Sequence, residues 1–213
     1  MLRGVDAEAR VCFIGDSFVN GTGDDTCLGW TGRVGAALRH VGYDLTVYNL
    51  GVRRETSADI AARWLAEVTP RLPDPATGRL VFSFGVNDTT LEPEGPRVVP
   101  SDSVLHLRTI LTMATARFPT LMVGPAPIDD ADQNTRILAL SDAFAQVCQT
   151  TGVPFLEVCR PLLESARWRA EVAAGDGAHP NAGGYAEYAS LVAAWPAWRA
   201  WWPLLRPALA HRP

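Results

Sequence analysis

Short apolar runs alternate along this chain with stretches in which apolar residues recur every three or four positions. The runs Val11-Cys12-Phe13-Ile14, Leu45-Thr46-Val47-Tyr48-Asn49-Leu50, Leu80-Val81-Phe82-Ser83-Phe84 and Thr120-Leu121-Met122-Val123 stop at Gly15, Gly51, Gly85 and Gly124. A fifth, Pro154-Phe155-Leu156-Glu157-Val158, follows Gly152. Runs this short, rich in β-branched and aromatic residues and bounded by glycine, predict strands buried on both faces.

The stretches between them predict helices. Val104, Leu107, Leu111, Ala114 and Phe118 keep helical spacing behind Ser101, a predicted N-cap, and Ile137, Leu140, Phe144, Val147 and Cys148 repeat the pattern. Residues 31–41 and 56–68 predict two more helices, and Asn181 is placed to cap a last one through about Ala194. Strand and helix in repeated alternation predict an α/β fold, a parallel sheet with helices on both faces. In open sheets of this kind ligands bind beyond the carboxyl ends of the strands. Ser17, Gly51 and Asn87 each fall just after a predicted strand end, so all three are expected along one edge.

The chain has 213 residues, enough for one well-buried domain and short for two. No repeat or low-complexity linker divides it, so a single domain is expected, with a core over about 11–194 and a Trp- and Pro-rich tail over 195–213. In the tail Trp195, Trp198, Trp201 and Trp202 crowd among Pro196, Pro203 and Pro207. Rings covering an apolar surface are the favoured reading. A dimer contact, hence a homo-oligomer, or an interfacial docking patch is the alternative. Residues 206–213 are expected to fray.

Composition narrows the partners. Net charge is −4, lysine is absent, and the nineteen arginines are scattered rather than clustered. No basic stripe suggests nucleic acid or anionic lipid. No apolar run approaches the roughly 20 residues that span a bilayer. The first eight residues carry acids where a signal peptide has its apolar core, so no signal peptide is visible and a cytoplasmic location is expected. Cys12, Cys27, Cys148 and Cys159 show no CxxC spacing, which predicts buried free thiols.

Four short blocks carry the candidate chemistry. Ser17, in Gly15-Asp16-Ser17-Phe18, follows a strand and a glycine where the chain turns sharply, exposing Oγ and leaving its own N–H unpaired. Of four histidines, His40 and His106 belong to predicted helices and His211 to the tail. His179 alone lies in a Gly/Pro-bounded loop, Asp176-Gly177-Ala178-His179-Pro180. A carboxylate three residues ahead in a turn can accept from Nδ1–H and leave Nε2 free to take the Ser17 proton. Asn87 offers a side-chain amide, and Gly51 lets a substrate approach a backbone N–H closely, two candidate donors to an oxyanion. Asp16 reads as a loop organiser, and Asp88 as a turn residue in the favoured reading or as an anchor behind the site in the alternative.

The segment from Leu91 to Pro100, with three prolines and a glycine, follows the Asn87 block and is expected to border the substrate pocket. Asp24, Asp25 and Trp30 are candidates for the opposite wall. Arg97 is a candidate for an anionic head group, with a solvent-facing loop arginine as the plainer reading. No HExxH, GxxxxGK[ST] or paired-cysteine motif calls for a metal or cofactor, and none is expected. Gly21-Thr22-Gly23 lacks the dinucleotide-binding pattern, and Asp24-Asp25 reads as two solvated carboxylates.

Together Gly15-Asp16-Ser17, Gly51, Gly85-Val86-Asn87-Asp88 and Asp176-Gly177-Ala178-His179-Pro180 resemble the signature blocks of the SGNH (GDSL-type) esterase and lipase family. The resemblance covers residue 11 to about residue 194, and Phe18 stands where that family most often has Leu. It implies a flavodoxin-like three-layer αβα sandwich whose five parallel strands run in the order 2-1-3-4-5. It also implies a Ser17–His179–Asp176 triad and an oxyanion hole from Ser17 N–H, Gly51 N–H and the Asn87 side chain. The absence of GxSxG, and an acid three residues before the histidine, set the chain apart from α/β-hydrolases. The implied activity is hydrolysis of a small-molecule ester or thioester through an acyl-enzyme at Ser17, as a carboxylesterase, lysophospholipase or thioesterase. A carbohydrate O-deacetylase or an acyltransferase would use the same residues. A non-catalytic flavodoxin-like binding module is the competing class.

Overall fold

The structure, a computed structural model, describes residues 8–203; the expected fraying of residues 206–213 lies outside them. In chain order it contains β1 (Ala9–Gly15), α1 (Ser17–Asn20), α2 (Gly29–His40), β2 (Leu45–Gly51), α3 (Ser57–Val68) and β3 (Gly78–Ser83). A 3-10 turn (Asn87–Thr89) and a small hairpin of β4 (Leu91–Glu92) and β5 (Gly95–Pro96) lead to α4 (Pro100–Thr115), β6 (Thr120–Val123) and α5 (Ala131–Thr151). Then come β7 (Phe155–Leu156), α6 (Cys159–Glu164), α7 (Ala166–Ala174), α8 (Ala182–Ala194) and α9 (Pro196–Trp201).

The five principal strands pair in parallel in the order β2-β1-β3-β6-β7, which is 2-1-3-4-5 when the strands of this sheet alone are counted. Alternation along each strand divides the core in two. Val11, Phe13, Val81, Leu121 and Val123 face one apolar cluster, with residues of α2, α7, α8 and α9. Cys12, Ile14, Leu80, Phe82 and Met122 face the other, with Ile60 and Trp64 of α3, Leu107 and Ile110 of α4, and Phe144 of α5. Both faces of the sheet are therefore covered, which gives the three-layer αβα architecture. Among the described residues no helix is long and apolar enough to cross a membrane.

Several local expectations are corrected. Helix α4 starts at Pro100, with Val99 in the N-cap position in place of Ser101; proline fits the first helical position because its missing N–H would find no partner there. The helix stops at Thr115, so Phe118 packs from the following turn. Thr56 is the cap of α3: its side chain accepts from Asp59 N–H while the Asp59 carboxylate accepts from Thr56 N–H. The small hairpin, α6 and α7 have no counterpart in the hydrophobic pattern.

The tail reading that places rings against an apolar surface matches the structure over residues 195–203. Trp198 and Trp202 are buried, Trp198 beside Phe13 (6.0 Å between centroids) and Trp202 edge-on to Tyr43 (5.2 Å). All four cysteines are free. Cys12, Cys148 and Cys159 are buried, but Cys27 is exposed, contrary to expectation. It lies at φ 56° in a turn closed by its N–H on Asp24 O, outside both apolar clusters.

Candidate active site

Strand β1 delivers Ser17 at its carboxyl end. Asp16 caps α1, its Oδ1 accepting from Phe18 N–H at 3.0 Å. Ser17 is the first residue of that helix, so its N–H has no partner within the helix. Burial is the largest influence on the Asp16 carboxyl and pushes it up to about 7, and the neighbouring acids Asp88 and Glu55 add to the rise.

His179 reaches Ser17 from the loop between α7 and α8. Its Nε2 lies 2.8 Å from Ser17 Oγ, and its Nδ1 lies 2.8 Å from Asp176 Oδ2. Asp176 Oδ1 accepts from the N–H groups of Ala178 and His179, closing the turn. Burial pushes the Asp176 carboxyl up, yet the hydrogen bonds from His179 and Ala178 outweigh it and hold the group at about 2. An ionised carboxylate on Nδ1 requires that nitrogen to be the N–H donor, leaving Nε2 as acceptor for the serine hydroxyl. The imidazole packs on Phe18, with ring centroids 5.0 Å apart, and Asp129 N–H anchors the loop through Gly177 O. A second Ser–His pair, Ser57 Oγ and His106 Nδ1 at 2.9 Å, is closed to substrate because Ser57 is fully buried.

Two cavities meet at His179. One, of about 390 Å³, is bordered by Ser17, Phe18, Val86, Asn87, Ile128 and His179, with Arg53 and Arg54 at its rim. The other, of about 640 Å³, is more polar and is bordered by Asp25, Glu171, Asn181 and Arg53.

Asn87 follows β3, as expected, and borders the Ser17 cavity. Its Nδ2 donates to Glu55 O at 2.9 Å, a bond that fixes the amide, and to Asp16 Oδ2 over a longer 3.5 Å. Asp88 lies in the 3-10 turn and is also a buried anchor, its Oδ1 accepting from Ser57 N–H at the start of α3 (2.7 Å).

Gly51 is displaced from the role expected of it. Its N–H donates to Asn49 Oδ1 at 2.9 Å, and it does not border the Ser17 cavity. Glycine is required there for a different reason: a Cβ would lie 2.2 Å from Asn20 N and 2.7 Å from Asp16 O, inside α1. The cavity is met instead by Arg53 and Arg54, just beyond β2. Arg54 sits in the left-handed region at φ 72°, and no hydrogen bond among the described residues uses its N–H. The position of this loop is legible in the sequence, but a left-handed arginine is not.

Of the four candidates for contact with substrate, Asp25 borders the larger cavity, and Asp24, Trp30 and Arg97 are corrected. Asp24 is buried, with Oδ1 accepting from Thr26 N–H (2.9 Å) and Oδ2 from Gly29 N–H (2.8 Å) and the Arg33 guanidinium. Trp30 is a core residue, edge-on to Phe13 and stacked on Tyr188. Arg97 turns inward, its Nη1 donating to Arg54 O at 2.9 Å and its Nε facing Glu92 at 3.6 Å. Asp24 and Arg97 are engaged by polar partners that a substrate would have to displace, and Trp30 is sealed in the core by ring packing.

Comparison with known proteins places the chain in a family. Residues 13–187 match the GDSL-like Lipase/Acylhydrolase family. The GDSL lipase Rv0518 of Mycobacterium tuberculosis is 27% identical over 204 residues, covering 86% of this chain and 79% of its own. Among solved structures, the acetylxylan esterase Axe2 of Geobacillus stearothermophilus superposes with TM-score 0.72 at 19% identity, covering 88% of this chain and 93% of its own. A lipase/acylhydrolase of Enterococcus faecalis gives TM-score 0.69 at 19% identity, covering 86% and 93%. The chain belongs to the GDSL-like lipase/acylhydrolase family and is an ester-bond hydrolase of that type.

Proposed function

We propose that the chain hydrolyses small-molecule carboxylic esters through an acyl-enzyme at Ser17. The observation that carries this reading is the unbroken hydrogen-bonded line from Ser17 Oγ through His179 to Asp176, 2.8 Å at each step, opening on a cavity. His179 Nε2 takes the Ser17 proton as Oγ attacks the ester carbonyl, and then gives it to the departing alcohol oxygen. Water next attacks the acyl-enzyme with the same nitrogen as base, which releases the acid and restores the serine. Asp176 stays ionised throughout, holds the imidazole in the required tautomer and stabilises the imidazolium.

The negative oxygen formed at each attack needs donors already in place. The Ser17 N–H and the Asn87 N–H that makes only the long 3.5 Å bond to Asp16 fill that role, the latter exchanging Asp16 for the oxyanion, and the Arg54 N–H is the third donor. This assignment puts Arg54 where Gly51 was expected. A cavity of about 390 Å³ lies within the range of small-molecule sites, and Phe18, Val86 and Ile128 give it an apolar wall for an acyl or alcohol group.

A fluorophosphonate probe tests the assignment. The wild-type protein is expected to gain one adduct, mapped to Ser17 by peptide mass. Ser17→Ala is expected to lose both the adduct and at least ~10³-fold of its turnover on a p-nitrophenyl ester. Full turnover in Ser17→Ala would remove the acyl-enzyme reading.

A further inference from the structure

We propose that the preferred esters of this enzyme carry a carboxylate near the scissile bond, received by the guanidinium groups of Arg53 and Arg54. The inference rests on the function proposed above and names its substrate class.

Both arginines border the cavity that holds Ser17 and His179. Arg53 Nη2 lies 3.4 Å from Asp176 Oδ2, which places its guanidinium beside the base, and 60% of the side chain is exposed. Asp176 already accepts from His179 Nδ1, His179 N–H and Ala178 N–H, so Arg53 shares a carboxylate that is engaged elsewhere. Arg54 is exposed and makes no ion pair among the described residues. Its backbone is left-handed, a conformation glycine adopts more readily. A glycine would therefore serve the turn, and what arginine adds at this position is its cation. Arg97, holding Arg54 O, fixes the backbone that carries it.

The charges around His179 are divided. Arg53 borders both cavities, but the one on the far side adds Asp25 and Glu171, which repel an anion, while the Ser17 cavity adds Arg54. A substrate carboxylate is thereby steered to one side of the reacting carbonyl. The planar guanidinium fork matches a carboxylate's two oxygens. At exposure this high, each pair is worth about fivefold at low salt and is screened as salt rises.

The test compares matched esters with the full-length protein. One pair places the charge in the acyl half, p-nitrophenyl hydrogen adipate against p-nitrophenyl methyl adipate. The other places it in the alcohol half, 4-acetoxybenzoate against its methyl ester. The charged member of one pair is expected to show about tenfold higher kcat/KM at low ionic strength, and the pair that responds identifies the half that carries the carboxylate. The preference should fall towards one in Arg53→Gln/Arg54→Gln, mainly through KM. Raising ionic strength from about 0.02 M to about 0.3 M should have the same effect on the wild type, a readout that holds even if the double variant folds poorly. Ratios of one or less in both pairs, or ratios indifferent to salt, overturn the proposal. Loss of neutral-ester turnover together with loss of the Ser17 adduct would instead refute the underlying function, so the two failures are distinguishable.

Discussion

Asp176 and Asp16 each sit within three residues of the proposed base or nucleophile, yet their surroundings drive them in opposite directions. Burial opposes the Asp176 charge, but three N–H partners outweigh it and keep the group near 2. With a folded value below the ordinary one, its contribution to stability is present above about pH 4 and is lost as pH falls towards 2. That contribution is modest because the side chain is 45% exposed. Asp176→Asn replaces an acceptor with a group that can donate to Nδ1 and so favours the wrong tautomer. Turnover should fall by about 10²–10⁴-fold with the urea midpoint near wild type; unchanged turnover would remove Asp176 from the mechanism. Asp16 is the reverse case, raised to about 7 by burial and by Asp88 and Glu55. Its stabilising contribution is greatest below about pH 4 and is lost as pH rises to about 7. Asp16→Asn should flatten the pH dependence of the urea midpoint across that window, and an identical slope in wild type and variant would contradict the assignment.

At the scale of elements, the site depends on how α1 docks on the end of β2. Asn49 Nδ2 donates to Val19 O (2.7 Å) and Thr31 Oγ1 (3.1 Å), while its Oδ1 takes the Gly51 N–H. One side chain thus joins β2 to α1 and α2 and occupies the donor that sequence reasoning assigned to the oxyanion. Gly51→Ala would force a methyl group against Asn20 N and should cost about 1–3 kcal/mol in urea denaturation; full retention of stability would show that α1 yields freely. Arg63, on α3, binds the same region from the other face. Its guanidinium reaches Gly15 O (3.1 Å), Leu50 O (2.9 Å) and Glu55 Oε2 (2.6 Å). The β1 and β2 ends are consequently held from both sides of the sheet.

At the scale of the whole molecule, two apolar clusters clamp the sheet, and its carboxyl edge brings together residues 162 positions apart, Ser17 and His179. The last described helix closes the cluster behind Phe13, with Trp198 buried against Phe13, Trp201 and Trp202. Trp198→Ala would leave a large cavity and should cost about 3–5 kcal/mol in denaturant unfolding. Turnover per folded molecule should stay near wild type, since Trp198 borders neither active-site cavity. A small stability loss would mean that the tail packs loosely on the sheet.

Hydrophobic period, strand-closing glycines and the DxxHP loop were enough to place five strands, the principal helices and the residues that converge as Ser17, His179, Asp176 and Asn87. These are local signals: each strand's burial pattern, and each turn's need for glycine, proline or a short acid, is written in a few neighbouring residues. The fates of Gly51, Asp24, Trp30 and Arg97 were not written there. Each depends on a partner brought near by folding: Asn49 and α1 for Gly51, Arg33 for Asp24, Tyr188 for Trp30, the Arg54 carbonyl for Arg97. A buried polar group must find a partner, and which one it finds is settled by the packing of distant elements. The same packing decided that Arg53 and Arg54 border the Ser17 cavity in place of Gly51.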